Sequence, residues 1–548
     1  SALGSSSEEK EAVKTCNGVH RCSFPMYLVK VRDFLDMGMG PPDPHHILHQ
    51  KGLLHAWEPG MFVIFVSHQW LSIKAPDPLG QQLSVLREAL RAIIDGSMKV
   101  EVDLMRTFGD PKDTSSYEHV ADGYLFLDWF AIPQITARDH GVNEDATRSD
   151  AARAVQSIPA YVEACDIFLA LVPELLHGDT GLQCNYSTWL SRGWCRAELW
   201  CRLLSNRRDT RVIVIFSARE ALYIMPLDWQ RNLILEGSFT VESDREVVAK
   251  LGEMALSSKI AHLRGKGPLP DYRFYLAQQP RLLNRPKENF SLPTFCEHFG
   301  FKSLTAAKDT EKPGMTGLLC ATIAGDAEIL ETLVRSKADV NARICGLGHL
   351  GYSDSLTLLM VAAYSCQETK ILSALISLRA DPNQVCVSES GSVITASWLA
   401  SHPSHVRVFM EGEADFLTSP PLIGVAGSAD TETVQAFLEV RCDPCSVSQT
   451  GFGPLFSCCL FGRGNPHATG IMQLLLNARG DANAKAQPRG QLYWECLRAR
   501  ASASFWGLER CGVYQRQMAS LPGATPLSIA ALMGDRALVQ LLLDNNAE

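Results

Sequence analysis

Residues 61–70 read MFVIFVSHQW, and three further stretches follow in order: YLFLDWFAIPQ (124–134), CDIFLALVPE (165–174) and SRGWCRAELW (191–200). The first three are apolar runs of strand length, each closed by polar residues, with helical patterns between them. That alternation predicts an α/β fold with a parallel sheet and crossover helices. Ligands of open α/β sheets collect beyond the carboxyl ends of the strands, so His68 with Gln69, Asp128 with Trp129, and Pro173 with Glu174 are expected along one rim. A fourth apolar run, 212–216, has no comparable polar end. A polar loop (134–150) and a segment with Val155, Ile158, Val162 and Cys165 at helical spacing join the second and third strands.

The last stretch sets Glu198 on a helix, beside an apolar stripe of Trp194, Ala197, Cys201 and Leu204, and therefore near the protein rather than fully in water. A fixed carboxylate in a dry cleft can stabilise positive charge that develops as a bond breaks. Trp70, Trp129 and Phe130 are candidate faces for a flat ring. With His68, Asp128 and Trp194 they make up the candidate ligand-binding set around a catalytic Glu198. His68 is expected to orient a ligand or neighbour rather than act as a base, since no serine or cysteine partner stands beside it. The alternative is structural. Glu198 and Arg202 lie four apart with the acid first, the order of a solvated helix pair worth roughly 0.3 kcal/mol, and the aromatic residues fill the core.

These four stretches, in this order and spacing, resemble TIR domains and equally the related fungal heterokaryon-incompatibility (HET) domains. The resemblance rests on the strand closed by SHQW, on LFLDWFAIPQ, on the alanine-rich helix leading into CDIFLALVP, and on the SRGWCRAE helix start. It implies a flavodoxin-like parallel sheet. In catalytic members a glutamate on the helix after the third strand supports cleavage of the nicotinamide–ribose bond of NAD, and Glu198 falls at the matching position. NAD would then be a substrate; no resident cofactor and no metal is implied. The departures are two long insertions, near 96–123 and at 173–189.

A second pattern begins after about residue 313. TGLLCATIAGDAEILETLVRSKADVNA (316–342) and TPLSIAALMGDRALVQLLLDNNAE (525–548) resemble ankyrin repeats. Threonine caps the first helix, proline suits its first turn, paired small residues let two helices approach, the Gly-Asp step turns the chain, and ADVN closes the hairpin to the next unit. Weaker units fall at 357–383, 392–415, 420–444 and 453–483, giving five or six repeats in all. A solenoid of this kind offers an extended binding surface and no catalytic apparatus. An insertion at 485–522 carries Tyr493, Trp494, Phe505 and Trp506 among Arg489, Arg498, Arg500 and Arg510. It reads either as a partner-binding finger or as a helix packed back on the array.

Several tempting motifs are absorbed by this register. Cys442 and Cys445 with Cys458 and Cys459 have zinc-like spacing, but the last two occupy paired small-residue positions of a repeat helix, as Ala362-Ala363 and Ala530-Ala531 do. GLGHLG (346–351) matches a dinucleotide fingerprint literally, without the strand that must precede it. His45, His46, His49 and His55 have no acidic or cysteine partner and are expected on a polar surface segment.

Composition bounds the rest. A chain of 548 residues is too long for one core and suggests three or four domains. A net charge of -9 argues against a nucleic-acid binder, and no apolar run approaches the ~20 residues that span a bilayer. Seventeen cysteines without a regular framework point to reduced thiols and a cytoplasmic location. The expected organisation is a partly ordered tail (1–56), the TIR/HET-like α/β domain (57–220), a helical connector (221–312) and all-α ankyrin repeats (313–548). With no initial methionine and a last unit cut inside its hairpin, both ends are read as incomplete. The function read from these features is intracellular signalling. The array would bind a protein partner, the TIR-like domain would self-associate, and that domain would cleave NAD to nicotinamide and ADP-ribose. The alternative is a non-catalytic scaffold.

Overall fold

The computed structural model describes residues 22–548 apart from 99, 102–114, 135–136, 138–143, 208, 225–227, 366–367 and 389–390. The chain divides into two compact units. The first comprises Ser1–Val100, Pro111–Ile224 and Asn232–Ala261; the second comprises Glu101–Asp110, Met225–Arg231 and His262–Glu548.

The first unit is built on a seven-stranded sheet. Its strands are β1 (Tyr27–Lys30), β2 (His55–Ala56), β3 (Val63–His68), β4 (Tyr124–Leu127), β5 (Ile167–Leu171), β8 (Val212–Ser217) and β9 (Glu220–Tyr223), in the order β2-β1-β4-β3-β5-β8-β9. A small hairpin of β6 (Leu175–Leu176) and β7 (Gln183–Cys184) lies outside it. The central pairs β4-β3, β3-β5 and β5-β8 are parallel, whereas β2-β1, β1-β4 and β8-β9 are antiparallel. Strands β3 and β5 are buried along their whole length. This is why they read as unbroken apolar runs, a strand covered on both faces having no solvent side to mark.

The pleat sends alternate residues to opposite faces. Phe126, Phe65 and Phe168 stack across β4, β3 and β5 on one face with centroids 4.7 and 5.1 Å apart, and Tyr161 of helix Ile158–Ala164 closes on Phe126 at 5.4 Å. On the other face Ile64, Ile167, Leu169 and Ile213 meet Leu90 and Ile93 of helix Gln81–Ile94. The unit is therefore an α/β/α sandwich.

The structure departs from expectation at the margins of this sheet. The segment read as a tail supplies β1 and β2 from residue 27 onward. Within it His45 is buried rather than on a polar surface, its Nδ1 lying 2.8 Å from the Phe130 carbonyl. The region read as one connector opens with β9, and its 232–261 part belongs to the first unit while 262–312 belongs to the second. The single helix expected from Val155 to Cys165 is two, Glu144–Gln156 and Ile158–Ala164. Pro159 has no N–H to continue the ladder through Ser157. Parts of the 96–123 insertion and of the 134–150 loop lie outside the described residues.

The second unit is helical. Six successive helix pairs carry the core: Gly317–Ala324 with Ala327–Arg335, Leu358–Ser365 with Thr369–Ser377, a 3₁₀ turn Ser397–Leu399 with Ser404–Glu411, Pro421–Ser428 with Thr431–Glu439, Pro454–Phe461 with Ala468–Asn477, and Pro526–Leu532 with Arg536–Asp544. First helices pack on first helices of neighbouring pairs, and second on second. Thr316, Thr357 and Thr525 cap first helices, and Asp326, Asp430 and Asp535 cap second ones. The weak 392–415 unit keeps only a single 3₁₀ turn where the others have a first helix. Cys458 and Cys459 are buried in the first helix of the fifth pair.

Every second helix ends the same way. A residue with positive φ (Lys337, Arg379, Glu413, Arg441, Arg479, Asn546) is followed by an N–H that reaches back to the carbonyl of Leu333, Leu375, Phe409, Phe437, Leu475 or Leu542. Each of those six side chains is fully buried. This is the Schellman closure, with its apolar anchor in the core. Side-chain amides then tie one turn to the next. Asn341 donates to the Arg379 carbonyl at 3.0 Å and accepts from the Asp381 N–H at 2.8 Å. Asn383 does the same to Glu413 and Asp415 (3.2 and 2.7 Å), and Asn483 to Asn546 and Glu548 (3.5 and 2.7 Å). Cys445 takes this place in the fourth pair and offers only a thiol, 3.4 Å from the Arg479 carbonyl.

Candidate active site

The carboxyl end of β3 sends Ser67 and His68 to opposite faces, and each meets a different acid. Ser67 lies on the Phe65 side, toward helix Gly193–Leu203. Its Oγ donates to Glu198 Oε2 at 2.5 Å and accepts from the Trp189 indole N–H at 3.1 Å. Trp189 is itself fixed by the short helix Tyr186–Ser191, which opens with a reciprocal Asn185–Thr188 capping box. The Thr188 hydroxyl also donates to Gln69 Oε1 at 2.8 Å. Helix Gly193–Leu203 can begin where it does because Gly193 has no side chain; a Cβ there would come within 1.9 Å of the Phe239 ring.

His68 lies on the Ile64 side. Its Nδ1 is 2.9 Å from Gln82 Oε1 and its Nε2 is 2.9 Å from Asp128 Oδ1. The Gln82 amide nitrogen donates to the Gln69 carbonyl at 2.9 Å, which fixes the amide orientation and leaves its oxygen facing the imidazole. Both ring nitrogens therefore face acceptors, the arrangement that suits an imidazolium. Burial opposes that charge, but the Asp128 carboxylate and the hydrogen bonds that the ring donates to Asp128 and Gln82 outweigh it and raise the His68 pKa. For Asp128 burial works upward, yet the His68 charge and hydrogen bonds from His68, the Trp70 indole (2.9 Å) and the Trp129 backbone (2.6 Å) bring its pKa below the ordinary value.

Glu198 behaves differently. Burial pushes its carboxyl up to about 8, with Asp128 adding to the rise and Ser67 and His68 opposing it. The corner thus holds two carboxyl groups set apart by environment, one ionised in an ion pair and one poised near neutrality, the pattern that marks sites of acid–base or charge-stabilising chemistry. Glu198, Asp128, Trp70 and Gln69 are each partly exposed.

The sequence-derived set divides. Glu198, His68, Asp128 and Trp70 gather at this corner. Trp129 is buried against Trp70, edge-on at 5.4 Å, with its indole donating to the Pro42 carbonyl. Phe130 is enclosed in the core near Phe34 and has no face to offer a ligand. Trp194 donates to Asp244 on helix Asp244–Leu263 at 3.0 Å. The Glu198–Arg202 surface pair does not form. Arg202 is fully buried and donates to the carbonyls of Cys165 and Asp166, just before β5, and of Arg211, just before β8. Ser67, Gln82 and Trp189 are functional neighbours that the strand-end reading passed over. For Ser67 the signal was present, since a residue one before His68 must face the opposite side. A cleft of about 730 Å³ lies in the second unit, lined by Arg264, Tyr272, Phe290, Glu297 and His298 among others, and none of the corner residues lines it.

No helix among the described residues is long and apolar enough to cross a membrane. Comparison with known proteins finds no matching family model and no matching curated protein.

Proposed function

We propose that the first unit is a TIR/HET-like domain that hydrolyses NAD to nicotinamide and ADP-ribose, and that the second is an ankyrin array through which a protein partner controls it. The observation that carries the reading is the Ser67-held Glu198 carboxyl at the strand-end corner. In its ionised form Glu198 would stabilise the positive charge that spreads over the ribose as the bond to nicotinamide breaks. Water then supplies the new bond to the anomeric carbon and releases a proton. His68, kept cationic by Asp128, takes no proton in this scheme; it fixes Asp128 and the loop that bears Trp70. Support for the array comes from the recurring capped helix pairs and the Asn ties between turns, which suit a stacked solenoid.

The test is incubation of the full chain with NAD at high protein concentration, with nicotinamide followed by chromatography. Wild type is expected to release it and Glu198→Gln to lose at least about a hundredfold in rate. Equal release by both would overturn the assignment of Glu198. A second reading, a scaffold without catalysis, is favoured by the lining of the 730 Å³ cleft, to which no corner residue contributes; no release by wild type, alone or crowded, supports it.

A further inference from the structure

Helix Gly490–Trp506 bears two apolar stripes on opposite sides. Leu492, Cys496 and Ala499 are buried against helix Val513–Ser520, the two helices forming a hairpin. Trp494, Leu497, Ala501 and Phe505 fall within about 80° of arc on the far side at 100° per residue. They face outward, Trp494 being 62% and Phe505 78% exposed. Trp506 (61%) and Leu508 extend the surface past the helix end. An apolar stripe along a helix is ordinarily turned to another element, and exposed Trp, Tyr and Phe beside Arg have the composition of interface hot spots.

Charge says what covers it. Residues 485–522 hold six cations (Lys485, Arg489, Arg498, Arg500, Arg510, Arg516) against two acids, Glu495 and Glu509, a net +4 within a chain of net -9. Glu495 is taken by the Tyr514 hydroxyl and Arg500 by the carbonyls of Ala519 and Pro522. Arg498 stays exposed at the edge of the outer stripe, with Arg489 and Arg510 exposed near the two ends of the helix. We propose that this face docks an acidic amphipathic helix of a protein partner. Residues three and four apart along a stripe form the seam that a second helix packs into, and the arginines at its margins select acidic side chains on that helix. A second copy of the same hairpin would bring +4 against +4. An anionic bilayer would have to meet the acidic remainder of the chain as well, whereas a single helix meets only charges within a Debye length of the stripe, about 8–10 Å.

The probes are short synthetic helices with leucine seams, one flanked by glutamate, one by lysine, and a scrambled acidic control, titrated with the full chain by fluorescence anisotropy. The acidic helix should bind saturably and at least about tenfold more tightly than the others. Binding should weaken with added salt and fall about tenfold or more on Trp494→Ser with Phe505→Ser, with melting and helix content retained. Arg498→Glu, an exposed edge change, should weaken it as well, and keeps the test open if the double variant misfolds. Equal binding of the acidic and lysine helices, no saturable binding up to about 1 mM, or indifference to all three substitutions overturns the proposal. So does finger-dependent binding to phosphatidylserine vesicles in place of the peptide, or a dimer that the double variant abolishes.

Discussion

Ser67 donates its hydroxyl hydrogen to Glu198 while accepting the indole hydrogen of Trp189, so one side chain links a strand end, a helix and an insertion. Its bond favours the ionised form of Glu198. Ser67→Ala is expected to move the Glu198 pKa further above about 8 and to shift the pH profile of nicotinamide release upward. It also leaves the buried Trp189 N–H without its acceptor, a cost of about 1–3 kcal/mol. Urea unfolding measures the second effect and pH–rate curves the first. An unmoved profile would mean that the hydroxyl holds the fold and nothing more.

The raised Glu198 carboxyl has its own signature in stability. Between about pH 5 and pH 8 the folded chain keeps a proton that the unfolded chain has released, so stability is full below the ordinary carboxylate value and declines as pH rises through about 8. Glu198→Gln removes the titrating group. Its melting temperature should change less than that of wild type across this range, and the two should diverge in favour of the variant at the alkaline end.

The His68–Asp128 pair runs the other way. Asp128 is depressed, so its contribution is present above its unfolded value and lost as pH falls through the folded one. His68 is raised, so its contribution is present below its unfolded value and lost as pH climbs through the folded one. Asp128→Asn should therefore cost most near about pH 5 to 6, roughly 1.5–3 kcal/mol, the worth of a hydrogen bond to a charged group, and progressively less in alkaline buffer. Calorimetry across pH is the measurement. A penalty that is flat with pH would show that the imidazole is neutral.

The central strands and the position of Glu198 were legible because each rests on a local signal: strand-length apolar runs and a helical register. What surrounds them was not. Strand β1 joins the sheet through antiparallel pairing to β4, ninety-odd positions later in the chain, and no local period announces such a partner. Phe130 and Arg202 show the same limit. An aromatic ring after a strand and an arginine four residues past a glutamate look alike in sequence whether they face water or the core, and here long-range packing sends both inward. In the helical unit, helix pairs follow from caps and small-residue spacing, whereas positive φ at Lys337, Arg379, Glu413, Arg441 and Arg479 is adopted where glycine or asparagine is the usual choice, because the buried side chain four residues earlier sets the turn.

That turn yields a stability prediction. Cys445→Asn places an amide where Asn341, Asn383 and Asn483 stand, able to serve both the Arg479 carbonyl and the Asp481 N–H, and should stabilise the helical unit by about 1 kcal/mol. Asn383→Ala should destabilise it by about 1–2 kcal/mol. Neither change should alter nicotinamide release. Denaturant midpoints on the full chain, with helical signal as the probe, measure both.

The amide ties also govern how this half of the chain tolerates change. Each joins one turn to its successor and to nothing further away, so cohesion is passed along like links rather than pooled in a common centre. Cutting within the second pair, for example, would open two of them, those of Asn341 and Asn383. A pair added or removed in phase would leave the other links in place.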